Sequence, residues 1–179
     1  MKRIFLFLGI LAFITSCQDK GETKATSGSS DTTAQTTPVD LPYKATYTSH
    51  FTSEVSDADL KMVLTSYKDW ADGNMDGLSK SLADSVWVDF SDGNHLNGTN
   101  AEIMKRWSTY RDSLSSVTIE MEAWDKKYAV DKKEGFVVTW YKEIDTYKNG
   151  KVDSAWYHDI NQIKDGKISY YRQYKRPAK

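Results

Sequence analysis

The hydrophobic pattern of this chain changes its period once, near Val117, and that change limits the fold more than any other feature. Before it, apolar residues recur at helical spacing. Leu60, Val63, Leu64, Tyr67 and Ala71 share one face behind a Ser56 N-cap, with Asp57 and Asp59 in the first turn, where the helix dipole favours anions. Asp72-Gly73 ends that helix, and Asn74 caps a short second one that presents Leu78 and Leu82. A strand, Val86–Phe90, runs into a polar loop from Ser91 to Gly98. Thr99 and Glu102 then form the capping box of a third helix, with Ile103, Trp107, Tyr110 and Leu114 on one face. From Val117 onward the period is two. Strands at about 117–130, 136–147, 151–163 and 168–175 are separated by Asp131–Gly135, by Asn149-Gly150 and by Asp165-Gly166, and the last two dipeptides signal tight hairpins. Helices followed by an antiparallel meander predict an α+β domain, its helices packed on one face of a curved antiparallel sheet.

The folded part, from about Tyr47 to Pro177, has the length of one domain with one core. All six tryptophans (Trp70, Trp87, Trp107, Trp124, Trp140 and Trp156) fall inside it, roughly one per element, so the domain has a bulky core or a lined cavity. Upstream, Gln18 to about Lys44 is rich in Gly, Ser, Thr, Asp and Lys and too polar to pack, which reads as a tether. The chain begins with Lys2-Arg3 and an apolar run from Ile4 to Ile14. That run is too short for the ~20 residues that cross a bilayer, and it has the form of a secretory signal. Cys17 is the single cysteine, so no intramolecular disulfide can form.

Ile14-Thr15-Ser16-Cys17 resembles a bacterial lipobox. The resemblance implies a signal peptide of residues 1–16 cut before Cys17, a Cys17 carrying diacylglycerol on its thiol and a further acyl chain such as palmitate on its amine, and a protein held at a membrane by lipid. A plain signal peptide cut elsewhere, or an uncleaved anchor, is the alternative. The expected division is signal peptide 1–16, lipidated Cys17 with a tether to residue 44, and a domain of residues 45–179. Asp19 is similar to the acidic export tags of surface lipoproteins of the Bacteroidetes group. The expected location is the cell envelope, at the outer membrane, with the side left open.

The chain holds 24 Lys and Arg against 25 Asp and Glu, a formal charge of −1, which becomes about −3 once Lys2 and Arg3 leave with the signal peptide. An acidic balance argues against nucleic acid as a partner. Tyr170-Tyr171-Arg172-Gln173-Tyr174-Lys175-Arg176 interleaves aromatics with cations as single-strand binders do. With no other basic cluster to extend it, the segment reads as a last strand with one wet face.

Four segments in order give the domain a further likeness: Trp70-Ala-Asp-Gly-Asn-Met-Asp-Gly-Leu78, Leu82-Ala-Asp-Ser-Val-Trp-Val-Asp89, Asn97-Gly-Thr99 ahead of the third helix, and Lys164-Asp-Gly-Lys-Ile168 before the last strand. Together they resemble the nuclear transport factor 2-like superfamily, in particular its SnoaL-like group. The resemblance implies a cone in which a bent sheet wraps the helices around an apolar cavity, with homodimers formed through the outer sheet face. That fold hosts isomerases, dehydratases, cyclases and epoxide hydrolases, as well as binding and assembly modules, so it does not by itself give the function.

A ketosteroid-isomerase-like mechanism needs a carboxylate base at the cavity mouth and deep donors for an enolate oxygen. By that resemblance the tyrosine of the first helix falls at Ser66, next to Tyr67. The base falls at Phe90, next to Asp89, and the deep acid falls on Asp159. No complete catalytic set maps, which leaves Asp159, Asp89 and His158 as proton-carrier candidates. Period two puts Tyr157, Asp159, Asn161 and Ile163 on one face of their strand and Trp156, His158, Ile160 and Gln162 on the other. The family resemblance favours the first set inward, whereas Trp156 and Ile160 favour the second. By analogy Tyr171 and Gln173 point into the cone, Trp107 and Tyr110 roof it and Trp140 forms a wall. Each also has a plain reading: the aromatics as core, Asp159 as a solvated strand residue, His158 as structural, and Asp89 as a turn cap.

No metal site is expected, since His50, His95 and His158 lack partners at ligand spacing and Asp89–Asn94 misses the alternation of a calcium loop. No cofactor motif is present either. The expected function is a membrane-anchored envelope lipoprotein that binds a small, partly apolar molecule in a cone. The alternatives are an acid/base enzyme of the same fold and an interaction module using the outer sheet face.

Overall fold

The computed structural model describes residues 40–178; the expected signal peptide, Cys17 and the tether as far as residue 39 lie outside the described residues. A two-residue strand β1 (Phe51–Thr52) precedes α1 (Asp57–Asp72) and α2 (Met75–Ser81). Then come β2 (Leu82–Asp89), β3 (His95–Thr99) and α3 (Asn100–Arg111). Four long strands complete the domain: β4 (Leu114–Ala129), β5 (Glu134–Tyr147), β6 (Val152–Lys164) and β7 (Lys167–Pro177). They form one sheet in the order β1-β4-β5-β6-β7-β2-β3.

The caps set the helix starts. Ser56 accepts from the Asp59 amide at 3.0 Å to open α1, and Asn74 accepts from the Gly77 amide at 3.1 Å to open α2. Thr99 and Glu102 exchange the two bonds of a capping box at the start of α3. Gly73, with φ 73°, ends α1 in the left-handed region that favours glycine. Arg111, at the end of α3, returns to α1 and donates from Nε and Nη2 to the carbonyls of Trp70 and Ala71, both at 3.0 Å. A cation is thereby placed on the negative end of the α1 dipole, and α1 is locked to α3.

Several features differ from the sequence expectation. Phe51–Thr52 adds the short strand β1, and Leu82, expected on the second helix, opens β2 because α2 ends at Ser81. His95–Thr99 lies in the expected polar loop, yet it forms β3 by pairing with β2 from Ser85 to Asp89. Leu114, placed on the third helix by spacing, begins β4 and is buried there, because Asp112 already caps α3. The sheet is not purely antiparallel, since β2 runs parallel to β7, with Val88 beside Tyr171 and Asp89 beside Arg172. The hairpins stand where Gly-containing dipeptides place them. Asp165 and Gly166, with φ 51° and 69°, make the doubly left-handed turn between β6 and β7.

Inside the curve, Val63 of α1, Val86 and Val88 of β2, Ile103 of α3 and Val137 of β5 are at most 1% exposed and form one core. From Val137 to Asp145, β5 alternates buried and half-buried, and Thr139, Tyr141, Glu143 and Asp145 all face inward. β6 answers in register: Asn161 pairs with Val137, Asp159 with Thr139, and Tyr157 with Tyr141. The inward face of this sheet therefore carries polar residues beneath the helices, at positions where hydrophobes alone would suffice for stability.

Loss of the α3 capping box checks how far caps hold the helical layer. Thr99→Ala is expected to lower unfolding free energy by about 1 kcal/mol in chemical denaturation, with an unchanged denaturant slope.

Candidate functional site

Asp159 is fully buried at the centre of the inward face, and three tyrosines from three elements converge on one of its oxygens. Tyr67 of α1, Tyr141 of β5 and Tyr171 of β7 donate their hydroxyls to Oδ2 at 3.0, 2.7 and 2.7 Å. Burial pushes the Asp159 carboxyl up to about 7 despite those three bonds, which pull the other way. Burial also pushes the three phenols well above their ordinary range, so they remain protonated donors. The network continues outward. Gln173 donates to the Tyr171 oxygen at 2.8 Å, and Asn161 donates to the Tyr67 oxygen at 3.0 Å and to the Val137 carbonyl at 3.2 Å. Thr139 Oγ1 lies 2.9 Å from the Tyr67 hydroxyl.

Above this floor is a cavity of about 370 Å³. Ser66, Tyr67 and Trp70 line it from α1, Leu78 from α2, Leu82 and Phe90 from β2 and its end, and Leu96 from β3. Trp107 and Tyr110 line it from α3, and Tyr141, Glu143, Tyr157, Asn161, Ile168, Tyr171, Gln173 and Lys175 from the sheet. Aromatic contacts fix the wall. Trp70 and Tyr110 lie parallel with centroids 6.1 Å apart, Tyr141 stacks on Tyr157 at 5.1 Å, and Trp107 meets Tyr171 edge-on at 6.3 Å.

Glu143 is the carboxyl that the cavity reaches. It is 9% exposed and accepts from the Trp70 indole N–H at 3.2 Å. Burial, with the nearby Asp145 and Asp159 carboxylates, pushes it up to about 8. Asp145, one inward position further along β5, accepts from the Tyr110 hydroxyl at 2.9 Å, while its Oδ1 is buried without a partner. Burial raises it as well.

The structure divides the residues singled out by sequence. Trp107, Tyr110, Asn161, Tyr171 and Gln173 line one cavity, and Asp159 lies directly behind its floor. Strand β6 presents Tyr157, Asp159 and Asn161 inward, and Trp156, His158 and Ile160 face out, half-buried. Trp140 does not form a wall. It pairs with His158 on the outer face and stacks on it at 4.9 Å, because the inward phase of β5 belongs to Thr139 and Tyr141. His158, tilted toward Tyr174 at 5.8 Å, is likewise remote from the cavity. Asp89 also lies outside. The Tyr170 hydroxyl and the Trp87 indole, joined by Arg172 at 3.2 Å, hold its carboxyl below the usual range.

Nor does the geometry assemble the ketosteroid-isomerase-like set. Ser66 spends its hydroxyl on the Val63 carbonyl at 2.7 Å, the base position is the apolar Phe90, and Asp159 sits behind tyrosines. Sequence reading missed Glu143, Lys175 and Trp70. For Glu143 the signal was the alternation Val137, Thr139, Tyr141, Glu143, Asp145, which becomes readable once Asp159 is set inward and opposite Thr139.

Asp159 and Glu143 give stability the same pH dependence, in the direction that Asp145 shares. Their folded-state values lie above the unfolded ones, about 3.9 for Asp and 4.3 for Glu, so the folded state binds more protons and stability falls as pH rises from about 4 through 8. Melting temperature is expected to drop across that window by the equivalent of a few kcal/mol. Asp159→Asn and Glu143→Gln should each flatten the decline, and a wild-type profile that is flat or rising would contradict this account.

Residues 1–18 match the model of the prokaryotic membrane lipoprotein lipid attachment site. No curated protein matches the sequence. Solved structures do match the fold. An LEH-like epoxide hydrolase of M. tuberculosis is 10% identical over 66% of this chain and 83% of its own, with a TM-score of 0.57. A nuclear transport factor 2-like protein from Burkholderia xenovorans is 13% identical over 69% and 86%, at 0.52. A protein from Jannaschia described as a SnoaL-like polyketide cyclase is 10% identical over 69% and 89%, at 0.52. The chain therefore combines a lipoprotein attachment site with a domain of the nuclear transport factor 2-like fold.

Proposed function

We propose that this chain is an envelope lipoprotein, acylated at Cys17 and held at the outer membrane by a tether to residue 44, whose domain of residues 45–179 binds a small, partly apolar molecule inside the cone. The observation that carries this reading is the cavity of about 370 Å³, walled by Trp70, Trp107, Tyr110 and Phe90 and floored by Asn161, Tyr171 and Gln173. Its combination of apolar walls with a few convergent polar groups is that of a small-molecule site. Core packing alone would fill the space.

Two further readings each have an observation in their favour. Glu143, a buried carboxyl raised to about 8 at the cavity wall, supports acid/base chemistry of the isomerase, dehydratase or cyclase type, with Glu143 rather than Asp159 within reach of a ligand. The outer face carries a row of Trp140, His158 and Tyr174, which supports a homodimer or another assembly through that face.

Native mass spectrometry of the whole chain, taken directly from membranes, tests the binding reading. A retained small molecule is expected, and Trp107→Ala should reduce its occupancy about tenfold or more, while Trp140→Ala leaves it unchanged. Retention that responds to Trp140 and not to Trp107 would move the site to the outer face.

A further inference from the structure

The tyrosine hydroxyl hydrogens and the Asn161 amide hydrogens at the floor of the cavity point away from it. Tyr67, Tyr141 and Tyr171 each direct their one hydroxyl proton at Asp159 Oδ2. Asn161 uses both Nδ2 hydrogens, one on the Tyr67 oxygen and one on the Val137 carbonyl. The Val137 carbonyl can only accept, so the amide orientation follows and Oδ1 is what Asn161 offers to the cavity it lines. Ser66 has spent its proton on Val63, and Trp70 has spent its own on Glu143. What remains toward the ligand space on this side is the Asn161 carbonyl oxygen, the free lone pair of Tyr171 and the Glu143 carboxyl, an acceptor on both oxygens once ionised.

Charge follows the same direction. Glu143 and the adjacent Asp145 are buried carboxyls on one inward row. The cations near them are Lys175, exposed on β7 with Nζ 5.6 Å over the Tyr157 ring, and Arg111, already engaged with two α1 carbonyls. The other donors of the lining are the Tyr157 hydroxyl and the Trp107 indole, on the aromatic wall, and the second amide hydrogen of Gln173. Ring faces beside a carboxylate form the setting in which a desolvated cation is held.

Building on the ligand-binding reading, we infer that the cavity recognises a protonated amine carried on an apolar body, its N–H groups received by Asn161 Oδ1 and Glu143 and its body packed between Trp70, Tyr110, Trp107 and Tyr171. An oxyanion or carbonyl ligand finds the opposite of what it needs, since the deep hydroxyl protons are committed to Asp159.

The test uses the full lipidated chain in phosphatidylcholine nanodiscs at pH 8.5 and three probes sharing one aromatic body: 2-phenylethylammonium, 2-phenylethanol and 3-phenylpropanoate. Titration calorimetry, corrected against empty nanodiscs, is expected to show the ammonium binding about tenfold or more tighter than the alcohol, with the carboxylate weakest. Glu143→Gln should weaken the ammonium about tenfold more than it weakens the alcohol, and Glu120→Gln, an exposed carboxylate paired with Lys142, should change neither. Equal affinities for the three probes, or a preference for the carboxylate, would overturn the amine inference and leave a ligand-binding cavity standing. Failure of all three to bind would overturn both readings.

Discussion

Everything inside the cone depends on one acceptor atom shared by three donors. Asp159 Oδ2 takes hydroxyl bonds from Tyr67, Tyr141 and Tyr171, so one atom of β6 is tied to α1, β5 and β7. Burying a carboxyl without such partners is costly, and the Tyr141 and Tyr171 protons would be stranded without the carboxyl, so the groups depend on one another. That mutual dependence fixes the height of α1 above the sheet. It also orients the phenol rings whose faces and oxygens form the cavity floor. The carboxyl acts on the site from behind, by deciding which way protons point.

The helical half of the fold was readable because caps are local. Ser56, Asn74 and the Thr99–Glu102 box start their helices where side-chain chemistry requires it, and no distant residue needs to be known. The hairpins were readable for the same reason, since Asp165-Gly166 carries its own backbone preference. Strand β3 was not, because His95–Thr99 has little strand character of its own and is made a strand by the free edge of β2. The site divided along the same line. Tyr171 and Gln173 came from the family resemblance, two positions apart on one strand, whereas Glu143 could be placed only by knowing that Thr139 stands opposite Asp159. Reading β5 by its largest aromatic, Trp140, chose the wrong face, because a half-buried outer surface also accommodates a tryptophan against His158.

The two faces of the sheet therefore carry aromatics for different ends. Inside, rings alternate with carboxyls and amides that point at an enclosed space. Outside, Trp140, His158 and Tyr174 form a row in direct register, and Trp156 lies between the Lys142 and Arg176 cations at 5.8 and 5.9 Å. A one-residue slip of β6 would exchange these sets, and the fully buried Asp159 together with its three donors opposes that slip.

The parallel pairing of β2 with β7 has a consequence for the order in which the domain closes. Leu82, at the start of β2, and Phe90, just past its end, face a cavity whose opposite wall, Tyr171 to Lys175, belongs to the last strand of the domain. The early helices can form on their own, but the enclosure cannot exist until the final strand arrives beside a partner more than half the domain away. Contacts of such long sequence separation form late and slowly. A chain in which β7 has not yet formed thus leaves this enclosure open on the side of β2.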